Sequence, residues 1–202
     1  DQVAVLNRAF ERNYNAILVQ VHRFRIYLAF LFRLDLLAGE LVESLMESYS
    51  AWKRSIPNIG LVPMTFLTGL VAAVMARKKD PSKWMPIANA CRGKIEVWSQ
   101  ASSWNYKHML RFIEAEIAYS EGHHEEAKVA YDEAIRLAGE HRFIHDQALC
   151  LERAAFYHED VSGVSSAVTE KYLAEARDLY IKWGAHRKAV DIQIPVHAQK
   201  PE

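Results

Sequence analysis

Apolar residues return at helical spacing along almost the whole chain, with polar residues on the opposite faces, and this pattern predicts helices throughout. The expected helices cover about 18–38, 41–54, 59–79, 82–101, 105–121, 124–138, 143–159 and 166–183, with a short one to about 191. Residues 3–15 keep Val3, Leu6, Ala9 and Phe10 in the same phase. They read as the second helix of a hairpin whose first half is missing, so the chain is expected to be a piece of a longer protein. Breaks between helices fall at Gly39, Asp80-Pro81, Gly122 and Gly163, spaced by about 41 residues. Regular spacing of this kind marks stacked repeats, because one hairpin cannot bury its apolar face alone. The expectation is an all-α chain: four antiparallel hairpins stacked as an α-solenoid in a right-handed superhelix, after one orphan helix. A single domain over 1–192 would then be followed by a tail or linker at 193–202.

Turn chemistry supports the breaks. Arg77, Lys78 and Lys79 close one helix, where the macrodipole favours cations. Asp80 is placed to cap the next, and Pro81 suits a first helical position that needs no backbone donor. Gly139 is expected to stop the helix before it, as Gly184 stops the last long one. Pro57-Asn58 is expected to separate two hairpins, and Pro57, Gly60 and Pro63 to shorten the next helix. Within the third hairpin, Gly122, Ala127, Tyr131 and Ala134 have the spacing of the second half of a tetratricopeptide (TPR) repeat. Ala127 and Ala134 should face the partner helix, with Ala130 one register away and more tolerant of enlargement. The period exceeds the usual ~34 residues and lies near the ~40–47 of HEAT-like units.

Composition narrows the function classes. Of 202 residues, 50% are hydrophobic and 25% charged, enough to bury a continuous core. Lys+Arg and Asp+Glu balance at 25 each, so no overall field attracts nucleic acid. Six basic residues against Asp80 between Arg77 and Lys94 form only a local patch, accounted for by helix-end charge. Two cysteines, Cys91 and Cys150, fall inside helical patterns and suit a reduced, cytoplasmic setting.

Candidate chemistry is sparse. No Gly-rich phosphate loop and no protein-kinase catalytic set occurs in the sequence. His141 and His145 stand four apart, a spacing that holds a metal on one helix face, but Gly139 lies just before and places a turn between them. No metal or other cofactor is expected. Ser55 to Ala76 is uncharged, and a helix of that length would span about 33 Å, enough for a bilayer core. A membrane-associated segment is therefore one alternative. Pro57, Gly60, Pro63 and basic residues at both ends favour an inner hairpin helix instead. The five tryptophans, Trp52, Trp84, Trp98, Trp104 and Trp183, are expected to pack between hairpins, with a peptide pocket as the functional alternative.

From Trp98 onward the residues carry a more specific pattern. It comprises Trp104-Asn105-Tyr106-Lys107-His108, Ile113-Glu114-Ala115-Glu116 and Tyr131-Asp132-Glu133-Ala134-Ile135. It continues through Phe143-Ile144-His145-Asp146-Gln147-Ala148-Leu149, Glu152, Tyr172-Leu173, Ala176, Tyr180, Trp183-Gly184-Ala185 and Lys188. This order resembles the TPR-like helical region of large multidomain signalling kinases, which join an AAA- or STAND-type ATPase to GAF and histidine kinase modules. The resemblance implies a non-catalytic interaction or regulatory segment of a cytosolic signalling protein. Its partner would be a protein, a peptide or another domain of the same chain, with no nucleic acid and no membrane. Polar residues off the apolar stripe are the candidate partner-binding set: Lys107, Arg111 and Glu114 on one helix face, His145 and Glu152 on its successor. A small-molecule-sensing helical domain, which would need an apolar pocket with a few polar groups, is the other alternative.

Overall fold

Every described element of the computed structural model is a helix, and the described residues are 3–4, 15–52, 58–163 and 166–193. The expected helix at 3–15, the break at Pro57 and the tail fall wholly or largely outside them. The helices are α1 (Asn15–Leu31), α2 (Asp35–Trp52), α3 (Asn58–Lys78), α4 (Pro81–Ala101), α5 (Ser103–Glu121), α6 (His124–Glu140), α7 (Ile144–Ser162), α8 (Ala167–Trp183) and α9 (His186–Asp191). The chain divides into two compact units, residues 1–95 and 96–202.

In the first unit α1 packs on α2, and α3 lies against both. Helix α3 is apolar all round because it is enclosed. Leu70, Val71, Val74 and Met75 are buried, as is 72% of the span from Gly60 to Lys78. By length and composition alone that span could cross a membrane. Gly60 and Pro63 lie inside α3 and do not shorten it, contrary to expectation. The turn into α4 follows its sequence: the Asp80 carboxylate accepts from the Ser82 hydroxyl at 2.7 Å and from the Ser82 and Lys83 amides at 2.9 and 3.2 Å. Those bonds hold the Asp80 carboxyl below its usual range. Lys78, at the end of α3, pairs with Asp35 at the start of α2, 2.6 Å away.

In the second unit α5 pairs with α6, α7 with α8, and α9 folds back on α8. Helix α5 ends at Gly122, whose φ of 77° is the left-handed conformation a Cβ disfavours. Helix α7 is buried almost all round and carries Asp146, Glu152 and Arg153 inward. Each meets a partner. Arg153 forks onto Glu116 of α5 with bonds of 2.7 and 3.1 Å. Glu152 accepts from Lys188 of α9 at 2.6 Å and from the Tyr180 hydroxyl at 2.8 Å. Asp146 meets His108 of α5 at 2.9 Å. Ala127 and Ala134 are buried as expected, but Ala130 is only 5% exposed, so it belongs to the same seam.

Two glycines are not where helices end. Helix α1 stops at Leu31, with Arg33 left-handed at φ 60°, and Gly39 lies inside α2. Helix α6 runs past Gly139 to Glu140, with Arg142 left-handed at φ 62°. The closing bonds, Leu34 N–H to Ala29 and Phe143 N–H to Ala138, have the same form as His123 N–H to Ala118 after Gly122. Arginine thus occupies a position where a glycine would be unstrained. The glycines serve close packing: a Cβ on Gly39 would lie 2.9 Å from the Met75 sulfur and terminal carbon, and one on Gly139 would lie 2.6 Å from the Gln147 amide nitrogen.

The two sites should respond oppositely to alanine. Alanine is favoured over glycine within a helix by about 1 kcal/mol. At Gly139 the obstructing group is the end of a half-buried glutamine that swings aside, so Gly139→Ala should be neutral or stabilising by up to that amount. At Gly39 the obstructing Met75 is buried, so Gly39→Ala should destabilise by about 1–3 kcal/mol through overpacking. Chemical denaturation of both variants checks this, and a shared sign would contradict it.

Candidate functional site

The contacts between α5 and α7 run start to start and end to end: His108 to Asp146, Glu116 to Arg153, and Tyr119 to Asp160. These two helices are therefore parallel. With α6 and α8 returning antiparallel, the starts of α5 and α7 share one end of the unit with the ends of α6 and α8. That end gathers aromatic and imidazole rings. Trp104, 61% exposed, stacks on His141 with ring centres 3.9 Å apart. One turn along α5, buried His108 stacks on Phe143 at 4.3 Å.

The Asp146 carboxylate sits between two imidazoles. One oxygen is 2.9 Å from His108 Nε2, the other 3.5 Å from His145 Nε2. His145 in turn lies 5.7 Å from Trp183, which packs on Tyr180. The result is a run of rings from one exposed tryptophan to another, organised by one buried carboxylate. Tryptophan is among the residue types enriched at the energetic centres of protein interfaces.

The candidate residues distribute unevenly over this end. Lys107 follows Trp104 by three residues on the same face of α5 and has no ion pair among the described residues. His145 is within the ring cluster. Arg111 is held by Glu114 at 2.6 Å and by Glu133 of α6 at 2.5 Å, so these three form a charge cluster between α5 and α6. Partial burial opposes the Arg111 charge, but its bonds to Glu114 and Glu133 hold its pKa above the ordinary value. Glu152 is buried against Lys188 and Tyr180, so it serves the interior and offers nothing to a partner. Trp104 and Trp183 entered the sequence reading only as a peptide-pocket alternative to packing, and His141 only as a possible metal ligand. Their signal was the position of a tryptophan in the first turn of α5 and another in the last turn of α8.

His141 and His145 do not act as a ligand pair: the first caps α6, the second lies in α7, and each faces a different tryptophan. Among the described residues no group of three or more metal-ligating side chains forms. Desolvation raises the Cys91 thiol to about 11 and holds the fully buried Cys150 thiol well above its ordinary value, so neither is a ready nucleophile at neutral pH. Burial and the hydrogen bond to Asp132 push the Tyr172 phenol up. The chain matches no protein-family model, no curated protein and no solved structure.

Removing the carboxylate should cost more than removing the exposed ring. Asp146→Ala leaves buried His108 without its acceptor and should destabilise by about 1–3 kcal/mol. Trp104→Ala gives up one stack at an exposed position, about 0.5–1.5 kcal/mol. Denaturant titration of the two variants provides the comparison, and a larger loss for Trp104→Ala would mean the carboxylate does not organise this end.

Proposed function

We propose that residues 96–192 are a TPR-like interaction module of an α-solenoid, a non-catalytic regulatory segment of a cytosolic signalling protein. One observation carries this reading. Side chains of corresponding helices in successive hairpins meet at sequence separations of 36 to 41 residues, first helix to first helix and second to second. His108 to Asp146, Glu116 to Arg153 and Glu152 to Lys188 link α5, α7 and α9. Tyr172 to Asp132 links α8 to α6 at 2.9 Å. Pairing of like with like at one repeat length is how stacked hairpins bury their shared faces.

Binding would be through shape and a small anchor set. Trp104 and Trp183 supply rigid apolar area, while Lys107 and His145 supply polar contacts beside them. Such a surface suits a peptide or domain that places an acidic residue next to an apolar one, including one from another part of the same chain.

The test compares the intact chain with a Trp104→Ala, Lys107→Glu double variant, after thermal melts have been matched. Affinity capture should recover a defined protein partner with the wild type, and binding to that partner should fall by at least about tenfold in the variant, as for loss of a binding hot spot. An unchanged partner set would move the binding surface elsewhere. Hydrolysis of ATP by the purified chain would overturn the non-catalytic reading.

A further inference from the structure

A groove of about 310 Å³ opens in the first unit between α2, α3 and α4. Its walls are apolar, with Leu45 from α2, Leu61 and Met64 from α3, and Ile87 and Cys91 from α4. Three polar groups interrupt them. Thr65 and Thr68 line the groove from α3, and Lys94 lines it from α4. Thr65 is only 6% exposed and borders the groove from the packed side of α3. Lys94 has no ion pair among the described residues, although carboxylates take up Lys78 and Lys83 in the same unit.

We propose that this groove binds an amphipathic carboxylate, a hydrocarbon body with an acid head group, of the size of a medium-chain fatty acid. The apolar walls would take the chain, Lys94 would pair with the carboxylate, and the threonine hydroxyls would hydrogen-bond to the ligand. A space near the low end of the ~300–1,000 Å³ range of small-molecule sites holds one such body and not a further helix. The charge of Lys94 selects an acid over a neutral chain of equal length. This site is independent of the interaction surface proposed for residues 96–192.

Cys91 in the wall provides a built-in reporter, and Cys150, in the other unit, an internal control. Because both thiols are poor nucleophiles at neutral pH, the intact chain is treated with excess maleimide over a time course long enough for Cys91 to be measurably modified without ligand, with and without decanoate, and the two cysteine-containing peptides are quantified by mass spectrometry. Decanoate should slow modification of Cys91 and leave Cys150 unchanged. Calorimetry should show decanoate binding about twofold to fivefold more tightly than decanol, the range an exposed ion pair supplies. Lys94→Ala should erase that preference while retaining both ligands. Ala90→Trp, at an exposed position on the groove wall, should block both ligands without loss of helicity. The proposal is overturned if saturating decanoate leaves the Cys91 rate unchanged, or if Ala90→Trp binds and protects as the wild type does.

Discussion

An unpaired charge inside a protein costs several kcal/mol, and α7 brings three charged side chains into the interior of its unit. Glu116, Lys188 and His108 answer them from helices on either side of α7, with Tyr180 completing the set. Apolar contacts alone would let helices slide by a turn at modest cost. A forked Arg153–Glu116 pair does not, because both of its bonds need one register. The small residues between these charges, Ala148, Ala154 and Ala155, let the neighbouring backbones come close enough for the pairs to form. Specific position in this half of the chain therefore rests on charge as much as on apolar area.

The two units solve the same problem differently. Helix α3 of the first unit has no charge between Gly60 and Ala76 and is enclosed by packing alone. Such a core places few demands on exact register and leaves room for an irregular seam, which is where the groove beside Thr65 lies. The second unit, with its buried pairs, offers its distinctive features at the surface, where rings cluster at one end.

Helices were legible wherever periodicity and turn chemistry agreed. Asp80-Pro81, Gly122, Gly163 and Gly184 each end or begin a helix as their residue types suggest. The two misplaced helix ends share one cause. A glycine marks either a left-handed residue or a close approach, and sequence alone does not separate the two. Gly39 and Gly139 serve the second purpose, while Arg33 and Arg142 take the left-handed role that local pattern assigns to glycine. The candidate site was legible in part. Periodicity placed Lys107 and His145 off the apolar stripe, but it placed Glu152 there too, since a buried acid looks like an exposed one until its distant lysine is known. Trp104 and His141, 37 positions apart, meet only because two helices run antiparallel, and no local pattern records that.

The six-residue helix α9 is far too short to persist by its own hydrogen bonds. Its fastening is the Lys188 ammonium, seated against Glu152 with almost no contact with solvent. The dependence is reciprocal: shedding α9 would leave a carboxylate stranded within the central helix of the unit. A minor terminal element is thereby made a structural keystone, and a truncation that is to keep the Glu152 carboxylate paired must fall beyond Lys188.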